Sequence, residues 1–164
     1  MNKDFLLFHK PFISEEEVTE IVDTVRYIYV SSKGELWLAC LGNSDMNPNI
    51  GIPEFPKDGL MRHIGDDPKS IDSRTYFNTV TGGLINNRIN FITESPDQKI
   101  WIGSEGGISY QLNDTAFANY SVKDGLCDKF VTSITFDKDG SVWVGTNNGV
   151  SNLKNGTFVN YKAQ

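Results

Sequence analysis

Residues 137–153 read DKDGSVWVGTNNGVSNL, and forty-two positions earlier, at 95–111, the chain reads SPDQKIWIGSEGGISYQ. Aligning on the tryptophans brings out a third copy. Trp37, Trp101 and Trp143 each stand twelve residues after a β-branched residue, Val25, Ile89 or Val131. Three residues after each of those comes an isoleucine, Ile28, Ile92 or Ile134. Leu36, Ile100 and Val142 precede the indoles; Leu38, Ile102 and Val144 follow them; then comes a small residue, Ala39, Gly103 or Gly145. A fixed period of this kind marks a repeat architecture.

The segments between these marks read as short strands. VTSITF is β-rich and ends at the turn sequence DKDG; SVWVG, GVSNL and TFVNY follow as further strands, with KNG as a turn. The middle copy gives INFITE, KIWIG, GISYQL and AFANY. Four strands per repeat of about 42 residues, with a recurring tryptophan, is the arithmetic of a β-propeller blade. Gly103 and Gly145, just after the tryptophan strand, imply close approach of neighbouring strands. Gln98 stands where Gly34 and Gly140 stand in the other copies, so a different turn geometry is expected there.

The first copy is longer, with 64 residues from Trp37 to Trp101. One insertion falls between Leu41 and Gly59 and a smaller one near GDDPKSIDSR. Both are rich in Pro, Asn, Asp and Gly and read as surface loops.

GLINNRINFITESPDQKIWIGSEGGISY and GLCDKFVTSITFDKDGSVWVGTNNGVSNL resemble the two-component regulator propeller repeat: a Gly-Leu, a Val/Ile strand, an Asp-rich turn, then Trp-Ile/Val-Gly-Thr-x-x-Gly-Leu. The resemblance covers 83–164 closely and 25–82 loosely. In the first copy the run has become Trp37-Leu-Ala-Cys40. The resemblance implies a sensor-type propeller from the extracytoplasmic half of a bacterial hybrid two-component system, hence a periplasmic or extracytoplasmic setting. It implies no particular ligand.

The expected fold is therefore all-β: one partial β-propeller domain over 1–164, with blades at about 25–80, 89–122 and 131–162. SEEEVTEIV, 14–22, carries a capping box (Ser14, Glu17) and helical spacing of Val18, Ile21 and Val22, which predicts one short helix before the first blade. Three blades cannot close a ring, and the two end faces would be bare and apolar. Two chains closing head to tail, or further blades of a longer chain, would cover them.

Composition narrows the function classes. The chain has 164 residues, net charge −6, and no Lys/Arg cluster, which disfavours a nucleic-acid surface. No apolar run reaches membrane-span length. The longest apolar stretch near the start, Phe5–Phe8, is too short for a signal-peptide core, so either the protein is cytoplasmic or a targeting segment lies outside this chain. Two cysteines, Cys40 and Cys127, occupy unrelated slots and make no disulfide framework.

Chemistry-bearing patterns are sparse. DKDG at 137–140 opens like a calcium loop, yet the sixth and twelfth places hold Val142 and Asn148, so a hairpin turn is expected and no metal. Ser104 sits in GSEGG, but Ile102 occupies the first glycine of a nucleophile elbow, and Thr146 and Cys40 share its slot. Cys127 aligns with Ile85 and reads as a small apolar residue. Asn113 and Asn155 head glycosylation triplets placed in hairpin turns and carry no weight. No cofactor motif is present.

The predicted helix and the 42–58 insertion leave the blade on the same face. That face is the expected binding rim, through Asp45, Asn47, Asn49, Glu54, Phe55 and Lys57, with His63 in the strand that follows. The rival role for the insertion is packing over the open edge. The leading functional expectation is a non-enzymatic ligand-sensing or protein-binding module, with a small molecule or oligosaccharide as ligand. The alternatives are a propeller enzyme of lyase or glycosidase type, for which His63, Asp66 and Asp67 are the only nearby titratable cluster, and a purely structural piece of a larger propeller.

Overall fold

The computed structural model describes residues 24–41, 58–65 and 73–162. The helix expected at 14–22, insertion residues 42–57, and Asp66 and Asp67 lie outside the described residues. Among the described residues, twelve strands form three sheets. The first holds β1 (Thr24–Val30), β2 (Leu36–Leu41), β3 (Asp58–His63) and β4 (Arg74–Phe77). The second holds β5 (Ile89–Glu94), β6 (Ile100–Ser104), β7 (Ile108–Asn113) and β8 (Ala116–Tyr120). The third holds β9 (Val131–Phe136), β10 (Val142–Thr146), β11 (Gly149–Lys154) and β12 (Thr157–Tyr161).

Each sheet is an antiparallel meander in chain order. Neighbouring sheets approach along their first strands, β1 beside β5 and β5 beside β9. The first strands therefore line the common axis and the fourth strands lie outside. These are three blades of a propeller, and they do not close a ring.

The repeat slots have a packing meaning. One apolar cluster joins Trp37, Ala39, Leu60 and Phe77 of blade 1 to Ile89, Ile92, Ile100, Ile102 and Phe117 of blade 2. A second joins Trp101 and Ile108 of blade 2 to Val131, Ile134, Val142, Val144 and Leu153 of blade 3. Each blade thus turns its tryptophan toward the next blade and its β-branched pair toward the previous one. Strand β6, sandwiched on both sides, is buried at all five residues; β10, in the last blade, is not. A strand covered on both faces reads as a continuous apolar run.

Aromatic geometry repeats as well. Trp37 stacks on Phe77 (5.9 Å, 24°), Trp101 on Tyr110 (5.0 Å, 22°), and Trp143 on Tyr161 (5.7 Å, 29°). Across each interface the outer aromatic meets the next blade edge-on: Phe77 with Phe117 (5.2 Å, 78°) and Tyr120 with Phe158 (5.5 Å, 84°). Arg62 takes the slot of Tyr110 in blade 1, with its guanidinium carbon 5.5 Å from the Trp37 ring centre.

Two hydrogen-bond devices explain the polar part of the repeat. Ser109 Oγ donates to Asn119 Oδ1 (2.7 Å), Asn119 Nδ2 donates to the Gly83 carbonyl (2.9 Å), and Ile85 N–H donates to Ser109 Oγ (3.0 Å). Ser151, Asn160, Gly125 and Cys127 repeat the same circuit at 2.7, 2.9 and 3.0 Å. The outer halves of blades 2 and 3 are so tied to the connections leading into them, while Leu84 and Leu126 after those glycines are buried between blades. Blade 1 has Met61 and Tyr76 at these slots and lacks the circuit. The second device is a hydroxyl turn: Ser104 Oγ donates to the Gly107 carbonyl (2.9 Å) and Thr146 Oγ1 to that of Gly149 (2.8 Å).

The close approach expected at Gly103 is present, since a Cβ there would stand 2.5 Å from Val131 Cγ1 of the next blade. The expectation about Gln98 is corrected. Its φ is 61°, beside 79° at Gly34 and 82° at Gly140, and all three turns close with the same bonds, Gly34 N–H to Ser31 O, Gln98 N–H to Ser95 O and Gly140 N–H to Asp137 O. The two flanking strands over-determine the turn, and Gln98 is held left-handed. That conformation costs an L-residue roughly 1–2 kcal/mol, part of which glycine returns as unfolded-state entropy. Gln98→Gly is therefore expected to stabilise the chain by about 0.5–1 kcal/mol, read as a higher urea midpoint at unchanged slope.

Candidate functional site

Strand register fixes which connections share a face. Thr24 pairs with Leu41 and Leu41 with Asp58, so the start of β1, the end of β2 and the start of β3 lie at one end of blade 1. By the same pairing, the β6–β7 turn, the β10–β11 turn and the connections into β5 and β9 lie on that face.

The first strand of every blade carries a bulge at this end. The register shifts between Val25 and Tyr27, between Ile89 and Phe91, and opposite Gly145 and Thr146, leaving Arg26, Asn90 and Thr132 as the extra residues. A bulge turns its residue out of the regular alternation. Here it presents three polar side chains around the axis, one per blade. Asn90 Nδ2 donates to the Val131 carbonyl (3.1 Å), linking blade 2 to blade 3.

Loop residues complete this rim. Glu105 N–H donates to the Arg88 carbonyl (3.0 Å), and Asn147 N–H donates to the Phe130 carbonyl (3.0 Å), so the same backbone bridge holds both loops. Asn86 Oδ1 accepts from Arg88 N–H and Asp128 Oδ1 from Phe130 N–H, both at 2.8 Å. Lys129 Nζ lies 5.4 Å from the Phe130 ring centre. Arg26 and Arg88 both approach the Glu105 carboxylate, at 3.8 and 3.6 Å. The rim thus gathers two guanidiniums, a carboxylate, an aromatic ring, amides and a hydroxyl from three blades.

Of the residues singled out from the sequence, Asp45, Asn47, Asn49, Glu54, Phe55 and Lys57 lie outside the described residues. His63 is described and does not join the rim. It ends β3 opposite Leu36, at the far end of the strand, 5% exposed, with both ring nitrogens buried and unpartnered. It fills the slot of Leu153, a core residue in blade 3. Cys40 is largely buried, and burial pushes its thiol up to about 12. Asp139 is held well below the usual carboxylate range by Lys154 Nζ at 2.6 Å and by Ser141, which engages the DKDG turn locally. Asp97 is lowered in the same way by Lys99 and Ser95.

The opposite face carries a groove of about 360 Å³ between blades 2 and 3, lined by Pro96, Trp101, Phe136 and Val142. Trp37 Nε1 donates to Glu35 Oε2 (3.2 Å), but Lys99 takes the glutamate's place in blade 2 and Trp101 Nε1 is left buried without a partner. Among the described residues no three His, Cys, Asp or Glu side chains gather as a metal site would need, and no helix is long and apolar enough to cross a membrane.

Blades of four antiparallel strands, built on one repeated slot pattern and joined through their first strands, define a β-propeller repeat protein. More narrowly, residues 83–106 and 125–148 match the family model "Two component regulator propeller", and the chain carries two repeats of that family. A search of curated proteins gives no match. Among solved structures, the chain is similar to the extracellular domain of a hybrid two component system, BT3049 of B. thetaiotaomicron, with 22% identity, a TM-score of 0.64, and coverage of 88% of this chain and 18% of that one. It is similar to the extracellular domain of BT4673 from the same organism, with 22% identity, a TM-score of 0.61 and coverage of 85% and 17%. It is also similar to virginiamycin B lyase from Staphylococcus aureus, with 16% identity, a TM-score of 0.57 and coverage of 85% and 41%. The chain spans less than a fifth of the length of the first two. At these identities the likeness establishes the fold.

Proposed function

We propose that this chain is a non-enzymatic binding module of a bacterial signalling propeller, placed outside the cytoplasm, and that it binds its ligand at the rim of the bulged strands. The observation that carries the reading is the bulge at the same slot in all three blades, which directs Arg26, Asn90 and Thr132 to one axial rim. The repeat family and the likeness to extracellular domains of hybrid two component systems support the signalling part. Leu41 and Asp58, the described residues on either side of the insertion, lie at the same end of blade 1, and Asp45, Asn47, Asn49, Glu54, Phe55 and Lys57 are kept as proposed contacts. Further blades complete the ring, supplied by a second chain or a longer polypeptide.

Isothermal titration with a panel of mono- and oligosaccharides tests the binding reading. Heat of binding without turnover is expected, and Phe130→Ala with Asn147→Ala should abolish it while leaving thermal unfolding unchanged. Binding that survives this pair and deletion of 43–57 would place the site elsewhere. Product formation from any bound compound would move the protein to the enzymes.

A further inference from the structure

The rim's charges are unevenly matched. Arg26 and Arg88 share the single carboxylate of Glu105, at 3.8 and 3.6 Å. Both contacts are ion pairs beyond hydrogen-bond distance, and neither guanidinium makes a side-chain hydrogen bond among the described residues. An arginine presents five N–H donors in a planar fork that fits a carboxylate two-fold. Two such forks therefore flank one carboxylate, Arg26 at Oε1 and Arg88 at Oε2, with their donors unspent and one positive charge in excess, on a chain whose net charge is −6.

The backbone arrangement is built rather than incidental. Arg26 reaches blade 2 only because the β1 bulge turns it out of the strand. Arg88 is set by the Asn86 turn (2.8 Å) and by the bond from Glu105 N–H to its carbonyl (3.0 Å). At the equivalent slots of blade 3, the next blade along the same rim, stand Phe130 and Asn147, joined by the same backbone bond.

The geometry points to an anion subsite in which Arg26 and Arg88 take a small organic carboxylate, with Glu105 as the resident counter-charge and Phe130 against the ligand's body. This rests on the rim being the binding face. In the free protein Glu105 keeps the two guanidiniums from repelling each other. A ligand carboxylate takes up the unspent forks and is partly opposed by Glu105. Removing that opposing charge should therefore strengthen binding, whereas removing a merely structural ion pair should only weaken the blade contact.

Titration of the full chain with glucuronate, its neutral counterpart glucose, and inorganic sulfate is the test. Glucuronate is expected to bind and glucose to bind at least ten-fold more weakly, as charge-assisted bonds imply. Arg26→Gln and Arg88→Gln should each weaken glucuronate about ten-fold or more. Glu105→Gln should tighten it, and all three should keep the parent's thermal midpoint within a few degrees, because both ion pairs are longer than a hydrogen bond and each has a solvent-exposed arginine. Sulfate binding as tightly as glucuronate would make the subsite one for tetrahedral anions and overturn the carboxylate assignment. Equal affinity for glucose, or weaker glucuronate binding by Glu105→Gln, overturns the subsite itself. If sugars bind and only Phe130→Ala and Asn147→Ala remove them, the anion subsite falls while the rim stands. Binding indifferent to every rim variant removes both.

Discussion

Trp37→Ala is expected to destabilise the chain by about 3–5 kcal/mol, while Trp143→Ala, at the same slot of the last blade, costs a fraction of that. The Trp37 ring is fully buried between blades 1 and 2, stacked on Phe77, edge-on to Phe117 at 6.5 Å, and capped by Arg62. Its N–H is bonded to Glu35. Truncation would empty the centre of one inter-blade cluster and leave Arg62, 7% exposed, over a void. Among the described residues, Trp143 stacks on no aromatic ring but Tyr161, and no blade lies beyond it. A folded domain has a total stability of roughly 5–15 kcal/mol, so the first change consumes a large part of it. Equilibrium urea unfolding of dilute protein reads both. Equal losses would mean that the two indoles have equivalent surroundings, and the stacked-blade account would fail.

How far the sequence reveals this fold depends on what each slot does. Apolar slots are legible because burial between blades selects residue type: Trp37, Trp101 and Trp143 mark one face, and Val25/Ile28, Ile89/Ile92 and Val131/Ile134 mark the other. The bulges were also written there. Members of each β-branched pair are three residues apart, yet Ile89 and Ile92 share one cluster and Val131 and Ile134 the other. Side chains alternate along a regular strand, so an odd spacing on one face requires an extra residue between them. Because every blade has it, the period is unchanged and an alignment of copies hides it. Arg26, Arg88, Glu105 and Phe130 were missed for that reason: their slots vary in chemistry from blade to blade, and only the folded axis brings them to one rim. His63 misled in the opposite direction. A histidine beside a long insertion suggests a site, but strand length carries it from the rim end of β3 to the far end.

The chain in solution should be heavier than its 18.3 kDa monomer at tens of micromolar, and charge placed on either end face should return it to that mass. The last blade presents two register rows on its free face, Trp143–Asn152–Val159 and Gly145–Val150–Tyr161. The matching rows of blade 2, Trp101–Tyr110–Ala118 and Gly103–Ile108–Tyr120, are covered by blade 3. On blade 3 Val159 is 52% and Tyr161 55% exposed. At the other end Ile28 is 51% exposed, although its counterparts Ile92 and Ile134 are 1% and 4% exposed. These faces are the two halves of one repeated interface, so they fit each other and neither fits itself, and association through them runs head to tail. Ile28→Lys spoils one half and Val159→Lys the other, each at an exposed position where the fold loses little, within about 0.5 kcal/mol. By sedimentation velocity each variant alone should be monomeric or nearly so. An equimolar mixture should recover one interface per pair and sediment as a dimer of about twice the monomer mass, because each variant keeps the half that the other lacks. If Ile28→Lys alone still associates fully, the contact pairs like faces and the repeat logic does not govern it. A parent chain that stays at the monomer mass up to hundreds of micromolar would show that the end faces do not take each other, and the blades that complete the ring would then have to come from a longer polypeptide.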